Sequence, residues 1–430
     1  MRDRARAMFD RALLECNIPR AFSRQILYDD VHLRIGSNLY DMGSFERVLV
    51  VSIGKAGHTM AEAFSNILGA GLSGVIACPN LPPARIFGFR YFAGGHPLPN
   101  GDSLRAGDTI LHLVAGSSPR TFVVFLISGG ASAIAEKPMS PDISLDDVIA
   151  TYQALVHSGA PIAEINAVRK HLSALKGGRL ALAAAPARQV SVLVSDVPAN
   201  SLDALASGPT IPDTTTVADC QTIVQRYGLL QQFPASVRAL FEQGMVQETP
   251  KQGDPAFERS RYAAVLSNAT AVKAALQSAA SAGFAVEVDN SCDDWNYQRA
   301  ADHLLGRLRE LRKSQPRACV ISGGEVTVHV GAKAGVGGRN QHFALYCAQQ
   351  IAGEQITVLS AGTDGIDGNS PAAGAIVDGS TVERAKQRGL DVATVLAGFD
   401  AYSLLNGIGD TIITGPTGNN VRDLRILLAY

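Results

Sequence analysis

Short runs of apolar residues alternate with stretches of helical periodicity along almost the whole chain. The runs in the first half lie at 47–53, 74–78, 121–127 and 189–194. Apolar runs without polar interruption are typical of strands buried on both faces, and helical connections between them favour parallel pairing. Helical periodicity is clearest where Ile165, Val168 and Leu172 recur at intervals of three and four residues. The pattern therefore predicts an α/β fold with a largely parallel sheet that is covered on both faces.

The alternation stops at a polar stretch with two prolines, residues 247–255, and then starts again. Such a stretch is typical of a crossing between domains. We therefore predict two domains, residues 1–245 and 246–430. In the second domain, strands are expected at 262–266, 284–288, 318–321 and 355–360. The alternating Val326, Val328 and Val330 predict a further antiparallel strand.

Two of the apolar runs lead directly into Ser-Gly-Gly. These are Ser128-Gly129-Gly130 in the first half and Ser322-Gly323-Gly324 in the second. Glycines after a strand leave backbone N–H groups accessible, and converging N–H groups bind phosphate or carboxylate. The pair predicts two lobes that face one anionic ligand, although each turn alone could be a simple turn.

The composition restricts the class of protein. The 430 residues are 46% hydrophobic and 18% charged, with a net charge of -1, which is typical of a globular chain and argues against a nucleic-acid partner. The six cysteines are scattered, as expected for buried thiols in a reducing compartment. No apolar segment suits a secretion signal or a membrane span, so a cytoplasmic location is expected.

Candidate chemistry follows the strands, because open α/β sheets bind ligands beyond the carboxyl ends of their strands. Gly54 and Lys55 follow the first long run, where a cation and a helix start both favour an anion. Asp196 follows the run at 189–194, where a carboxylate could hold Mg²⁺ or accept a hydroxyl proton. The alternatives are a solvated lysine and a capping aspartate. None of these strands is followed by a Walker motif or by GxGxxG.

The second half carries its own polar clusters. Arg339 and Asn340 follow two glycines, and an arginine in such a loop can bind phosphate through two parallel hydrogen bonds. Asp364 and Asp367 lie in a glycine-rich loop that could hold a metal or a ribose, and Glu325 follows the second Ser-Gly-Gly. The alternatives are a surface ion pair for Arg339 and ordinary turns for the aspartates. Together these groups suit phosphoryl transfer, which depends on positioning and on charge neutralisation.

The ordered motifs of this chain resemble those of the class II glycerate kinases over nearly its whole length. They are Ile-Gly-Lys-Ala at 53–56, Gly-Gly-His-Pro-Leu-Pro at 94–99, Leu-Ile-Ser-Gly-Gly-Ala-Ser at 126–132, Asn-Ala-Val-Arg-Lys-His-Leu-Ser at 166–173, Lys-Gly-Gly at 176–178, Gly-Gly-Arg-Asn-Gln at 337–341, Thr-Asp-Gly-Ile-Asp-Gly at 363–368 and the leucine-rich segment 417–428. Thr-Gly-Asn-Asn at 417–420 departs from the more usual Thr-Gly-Thr-Asn.

The resemblance implies ATP- and Mg²⁺-dependent phosphorylation of D-glycerate to 2-phosphoglycerate. It also implies a Rossmann-like, three-layer amino-terminal domain and a smaller mixed α/β carboxyl-terminal domain, with the active site in the cleft between them. Lys55, Asp196 and Arg339 correspond to essential residues of that family. Some members are labelled hydroxypyruvate reductase, so a reductase that uses NADH or NADPH is one alternative, and a non-catalytic binding module is another.

The expected roles of the candidate residues are as follows. Catalysis is assigned to Lys55, Asp196 and Arg339, and metal binding to Asp196 and Asp364, with Mg²⁺ or another divalent cation. Whether Asp196 is a base or a metal ligand stays open. Substrate and phosphate binding is assigned to Gly54, Ser128, Gly129, Gly130, Ser132, Ser322, Gly323, Gly324 and Asn340. Contact with ATP is assigned to Glu325, Asp364 and Asp367. The expected partner is D-glycerate, with no nucleic acid or membrane, in a monomer or a homodimer.

Overall fold

The computed structural model describes residues 1–69, 71–198, 200–331 and 334–430. It divides into two compact units. The amino-terminal unit is Ile18–Val265, and the carboxyl-terminal unit combines Met1–Asn17 with Leu266–Tyr430. The division into two α/β domains agrees with the sequence prediction, whereas the predicted bounds, 1–245 and 246–430, differ from those of the two units.

The amino-terminal unit is built around a six-stranded sheet with the order β6-β5-β4-β7-β8-β9. A separate antiparallel sheet holds β1, β2 and β3. The strands in the described part of this unit are β1 Ile26–Tyr28, β2 His32–Ile35, β3 Asn38–Asp41, β4 Arg47–Ile53, β5 Ser73–Cys78, β6 Phe89–Ala93, β7 Thr121–Ser128, β8 Arg188–Val194 and β9 Ser260–Leu266. All pairs from β6 to β8 are parallel, and β7 is buried along its whole length. The predicted parallel sheet is thus confirmed.

Helices connect these strands and cover the sheet. They are α2 Ile18–Gln25, α3 Gly57–Leu68, α4 Gly101–Ala115, α5 Ala131–Ile134, α6 Leu145–His157, α7 Ile162–His171, α8 Arg179–Ala184, α9 Val217–Arg226 and α10 Ala235–Glu242, with 3₁₀ turns at Met42–Ser44, Leu202–Ser207 and Pro255–Phe257. Capping boxes at Asn100, Ser144 and Thr216 fix the starts of α4, α6 and α9.

The strand order reverses direction between β4 and β7. From β4 the chain moves outward through β5 to β6, and it then returns to place β7 on the other side of β4. In open α/β sheets such a reversal opens a crevice at the carboxyl ends of the two strands, and ligands bind there. The two loops at this position carry Lys55 and the first Ser-Gly-Gly.

The carboxyl-terminal unit contains a mixed sheet with the order β10-β11-β15-β12-β13-β14. Its pairs are antiparallel except for β10 with β11. The elements of this unit are α1 Arg2–Glu15, α11 Asn268–Ser281, β10 Ala285–Val288, α12 Tyr297–Ser314, β11 Ala318–Gly323, α13 Arg339–Gln350, β12 Ile356–Gly362, β13 Gly374–Asp378, α14 Thr381–Gln387, α15 Val392–Ala397, α16 Ala401–Gly407, β14 Thr411–Ile412 and β15 Asp423–Ala429. The leucine-rich segment supplies β15, which is buried along its whole length between β11 and β12.

The polar stretch predicted to cross between domains instead packs on the amino-terminal unit. Arg179 donates to the carbonyls of Gln247 and Glu248, and Thr249 donates to the buried Asp213 at 2.9 Å. The following strand, β9, lies next to β8 in the same sheet. Because these residues belong to the first unit, its end moves to Val265.

Two further observations bear on the sequence predictions. No helix in the part of the chain that the structure describes is long and apolar enough to cross a membrane. All six cysteines are free and buried, and burial raises the pKa of Cys16, Cys220 and Cys319 to about 12.

Candidate active site

Four segments of the amino-terminal unit bring polar groups together at the carboxyl edge of the parallel sheet. Lys55 follows β4, His96 follows β6, the turn 128–130 follows β7, and Asp196 follows β8. The segments meet because parallel strands present the same end at one edge. We call this group of residues the β-edge cluster.

Glycine at position 54 allows the loop after β4 to touch the turn after β7. A Cβ atom at Gly54 would lie 2.3 Å from Ser128 Oγ, and the φ angle of +128° also disfavours any side chain. Two hydrogen bonds hold the loops in place. The Lys55 N–H donates to the Gly129 carbonyl at 2.9 Å, and the Ala56 N–H donates to Ser128 Oγ at 3.1 Å. Ser128 therefore supports the loop that carries Lys55.

The two glycines of the turn lie against the charged side chains of the cluster. A Cβ atom at Gly129 would be 2.0 Å from Asp196 Oδ2. One at Gly130 would be 2.9 Å from His96 Cδ2 and 3.1 Å from Lys55 Cγ. The N–H groups of Gly129 and Gly130 make no recorded hydrogen bond within the described part of this unit. The turn thus presents two N–H groups, and an exposed lysine and a carboxylate lie beside it. The remaining predicted residue of this segment, Ser132, is half-buried in α5, one turn further on.

His96 is the member of the cluster that the sequence analysis missed as a site residue. It lies in the segment after β6, where Gly94 donates to the Cys78 carbonyl and Gly95 donates to Ser103 Oγ. Desolvation of the ring and the nearby Lys55 ammonium both lower the pKa of His96. The imidazole is therefore neutral at pH 7 and can accept a hydrogen bond. Its motif, Gly-Gly-His-Pro, was the signal that could have identified it.

In the carboxyl-terminal unit a cavity of about 670 Å³ opens beside the start of α13. We call it the α13 cavity. Its polar wall includes Arg339, Glu325 and Asp364. Its apolar wall is lined by Val326, Val328, Val330, Ile366 and Phe399. The residues 326–330 do not form the predicted antiparallel strand, because only Thr327 pairs, in a single bridge with Asn296. Val326, Val328 and Val330 line the cavity instead.

Arg339, the first residue of α13, is held by two carboxylates. Its Nε and Nη2 donate to Asp423 at 2.6 and 3.1 Å, and Nη2 also lies 2.9 Å from Glu325 Oε1. Burial opposes the charge, but the bonds to Asp423 and Glu325 raise the pKa of Arg339 above its usual value. Asp423 is buried, so the guanidinium is fixed by a preformed partner. Neither Glu325 nor Asp423 was predicted in this orienting role.

Asp367 and Asn340, predicted to contact nucleotide and phosphate, are committed to the fold instead. Asp367 is 2% exposed, and each of its two oxygens accepts a backbone N–H and a side-chain N–H from Asn340 or Gln341. Asn340 is buried too, and its Oδ1 accepts from Ser360 Oγ at 2.7 Å. Asp367 therefore caps the start of α13, and these bonds occupy its acceptor sites. Burial raises the pKa of Asp367 to about 6, although these hydrogen bonds lower it.

The second Ser-Gly-Gly turn also differs from the prediction. The N–H of Gly323 donates to Asn290 Oδ1 at 2.8 Å. Glu325, the residue after the turn, donates its N–H to Asp293 Oδ1 at 3.0 Å. Cβ atoms at Gly323 and Gly324 would collide with Asn268 and Asp293. The Ser322 hydroxyl is buried, without a partner in the described structure. The glycines here make room for the protein's own side chains and do not form an open anion cradle.

The carboxylates near Arg339 provide a limited set of metal ligands. Asp364 lines the α13 cavity and accepts the Ile366 N–H at 3.2 Å. Burial and the neighbouring Asp423 raise the pKa of Asp364. Among the described residues, no group of three or more His, Cys, Asp or Glu side chains is arranged to hold a metal ion.

Comparison with protein families gives two matches. Residues 4–242 match the family described as domain of unknown function DUF4147, and residues 318–423 match the MOFRL family. The first match alone covers more than half of the chain.

Individual relatives match over most of their length. The chain is 37% identical to the D-glycerate 2-kinase of Thermotoga maritima over 390 residues, which is 89% of this chain and 91% of that protein. It is 30% identical to the human glycerate kinase over 94% of this chain and 87% of that protein. A protein of Agrobacterium vitis with the provisional name hydroxypyruvate reductase is 38% identical over 95% of this chain and 93% of that protein.

Solved structures give the same result. The crystal structure of the glycerate kinase of Thermotoga maritima matches with a TM-score of 0.86 and 33% identity, covering 100% of this chain and 99% of that one. A protein of Pyrococcus horikoshii matches with a TM-score of 0.87 and 31% identity, covering 100% and 98%. With both domains matched and identities of 30–38% over most of the length, the chain belongs to the glycerate kinase family.

Proposed function

We propose that this chain transfers the terminal phosphoryl group of ATP to the 2-hydroxyl of D-glycerate and produces 2-phosphoglycerate. The observation that carries the proposal is the β-edge cluster, which lies at the strand-order reversal where α/β sheets bind ligands. It combines an exposed lysine, two N–H donors and a carboxylate. Relatives named as glycerate kinases supply the identity of the acceptor.

The groups of the cluster suit the two anionic parts of the reaction. The Lys55 ammonium and the N–H groups of Gly129 and Gly130 would bind a phosphoryl or carboxylate group and offset its charge. Asp196 would accept the proton of the 2-hydroxyl as that oxygen bonds to the γ-phosphorus. The bond from phosphorus to the ADP oxygen breaks at the same time, and its electron pair leaves with ADP. The neutral His96 could accept a hydrogen bond from a second substrate hydroxyl.

Arg339 would stabilise the negative charge of the transferring phosphoryl group. Asp423 and Glu325 hold its Nε and Nη2, and no described residue is recorded as a partner of Nη1. A guanidinium fixed in this way does not lose orientational freedom when an anion binds. We include Arg339 in the mechanism on this ground.

We also propose Mg²⁺ as the cofactor. Mg²⁺ in phosphotransferases is commonly bound by one or two carboxylates together with substrate phosphates, and the sparse carboxylate set here fits that mode. Asp364 would supply a carboxylate ligand, and the ion would supply further neutralisation of phosphate charge. A cytoplasmic location stays a prediction.

The competing activity is reduction of hydroxypyruvate, after the provisional name of one relative. The β4 and β7 loops carry Ile-Gly-Lys-Ala and Ser-Gly-Gly and have no GxGxxG. We therefore place the kinase first.

The test measures both activities on the same protein. We expect ADP release from ATP, Mg²⁺ and D-glycerate, and no oxidation of NADH or NADPH in the presence of hydroxypyruvate. In the Arg339→Ala variant, kcat should fall by at least about a hundredfold. Arg309→Ala, which removes an exposed partner of Glu354, should leave kcat unchanged. NADH oxidation without ADP release would contradict the proposal.

A further inference from the structure

His342 in the α13 cavity has an unsatisfied hydrogen-bond acceptor. The side chain is 3% exposed, and its Nδ1 lies 3.2 Å from the Gly338 carbonyl oxygen. Because a carbonyl only accepts, Nδ1 must carry the proton, and in the neutral ring Nε2 is then an acceptor. Burial lowers the pKa of His342, which keeps the ring neutral. Nε2 has no partner in the described structure, and a buried polar atom without a partner is costly.

The surroundings of His342 are aromatic and apolar. Phe399 stacks on its ring with centroids 5.0 Å apart, and Tyr297 meets the ring edge-on at 6.0 Å. Val328 and Ile366 also line the cavity. Phe399 has a φ angle of +51°, a left-handed conformation that a bulky residue adopts only when its surroundings hold it there.

The loop that leads into α13 is fixed before any ligand binds. Gly335 donates to the Gly398 carbonyl at 3.1 Å, Val336 to Asp400 Oδ1 at 2.8 Å and Gly337 to Asn369 Oδ1 at 2.8 Å. The first two bonds tie one wall of the cavity to the segment that carries Phe399, and the third ties it to the loop that carries Asn369. A preformed wall lowers the cost of ordering on binding.

Charge divides the cavity into two parts. Arg339 and His342 are three residues apart on α13, so their side chains lie one turn apart on the same face. Arg339 suits a phosphate, whereas the neutral acceptor of His342 does not, because ionised phosphate oxygens only accept. The partner of Nε2 must be an N–H or O–H donor that also tolerates apolar walls. The amino group of a nucleobase fits both conditions.

We propose that the α13 cavity binds the nucleoside part of the phosphoryl donor and that His342 Nε2 accepts a hydrogen bond from the amino group of its base. The proposal rests on the proposed function, since it takes the donor to be ATP. Phe399, Val328 and Ile366 supply the apolar contact. Nε2 is covered in the structure, so the base must displace a side chain, a rotamer change that commonly accompanies binding.

The test compares ATP with purine riboside 5′-triphosphate, whose base lacks the amino group, by titration calorimetry on the full chain. The wild type should bind ATP about 5- to 10-fold more tightly, the effect of one hydrogen bond. In His342→Phe, which keeps an aromatic ring, the ratio should fall to about 1. Phe399→Leu should weaken both ligands equally and preserve the ratio.

The matched control is His303→Phe, a histidine of the same unit that pairs with Asp289 and does not line the cavity. It should keep the wild-type ratio. Equal affinity of the wild type for the two nucleotides would overturn the inference even if no variant folds, and so would an unchanged ratio in folded His342→Phe. Preferential binding of ATP without phosphorylation of D-glycerate would support this inference and refute the proposed function.

Discussion

Lys55 and His96 influence each other across Gly130, since a Cβ atom at that glycine would touch both side chains. The Lys55 charge is one of the two causes that lower the pKa of His96, after desolvation. This proximity gives the β-edge cluster a signature that can be read without an activity assay.

The first prediction concerns the charge of Lys55. In Lys55→Met, kcat should fall at least about a hundredfold, because an ammonium that offsets transition-state charge is lost. The pKa of His96 should rise at the same time, because a positive neighbour no longer disfavours the imidazolium. Histidine ¹⁵N NMR titration measures that pKa in folded protein. Lys273→Met, at an exposed position on α11, should change neither quantity. An unchanged His96 pKa would show that the Lys55 charge does not act on His96.

At this scale the sequence indicated which residues reach an edge of the sheet, whereas their functional roles stay predictions. Lys55 and Asp196 could be placed at the edge of the sheet because both come shortly after buried strands, and the carboxyl edge of a parallel sheet collects such residues. Asp367 follows β12 and Gly323 ends β11, yet they serve a helix cap and the packing of Asn268. A pattern shows which groups reach an edge. It does not show which of them the protein's own donors and acceptors already occupy.

At the scale of elements, the cap of α13 decides whether Arg339 stays in place. Asp367 binds the N–H groups of Asn340 and Gln341, the two residues that follow Arg339 in the helix. A helix start that is buried needs such a partner. The position of the Arg339 guanidinium therefore depends on a buried carboxylate that does not itself need to touch substrate.

The second prediction removes this cap. Asp367→Ala should lower the free energy of unfolding by about 2 kcal/mol or more, because buried N–H groups lose their acceptor. Asp391→Ala removes an exposed cap, that of α15, and should cost about 0.5–1 kcal/mol. Chemical denaturation followed by the fluorescence of Trp295, the single tryptophan of the chain, measures both. Equal losses of unfolding free energy would mean that the buried cap of α13 stabilises the protein no more than the exposed cap of α15.

The observed strands show which elements a local sequence pattern can predict and which it cannot. The strands at 47–53 and 121–128 were predicted almost to the residue, because fully buried strands have no polar interruption. The alternating Val326, Val328 and Val330 line a cavity instead of forming a strand. Alternation marks one apolar face, but it does not specify whether a sheet or a cavity wall presents that face.

At the scale of the whole molecule, the first helix belongs with the last third of the chain. α1 packs against α11, β12, β13 and β15, and Arg2 binds Asp410 at 2.6 Å. Sequence reading assigned α1 to the nearest domain along the chain, because a long-range contact leaves no local signal. The amphipathic face of α1 indicates burial, although it does not identify what covers it.

The third prediction tests this assignment. Phe9→Ala removes a fully buried ring of α1 and should cost about 3–5 kcal/mol of unfolding free energy. Leu14→Ala on the same helix, at a side chain 54% exposed, should cost under about 0.5 kcal/mol. Trp295 lies in the carboxyl-terminal unit, so its fluorescence reports on that unit. If Phe9→Ala left the unfolding transition seen by Trp295 fluorescence unchanged, the assignment of α1 to this unit would be contradicted.

The central claim is the transfer of a phosphoryl group to the 2-hydroxyl of D-glycerate, and proton-coupled ³¹P NMR of the product tests it most directly. Wild-type protein with ATP, Mg²⁺ and D-glycerate should give a phosphate ester signal that is a doublet, because C2 carries one proton. The Arg339→Ala and Lys55→Met variants should form this signal at least about a hundredfold more slowly. A triplet would mean that the CH₂ oxygen at C3 is phosphorylated, and the absence of any ester signal from folded wild-type protein would contradict the account.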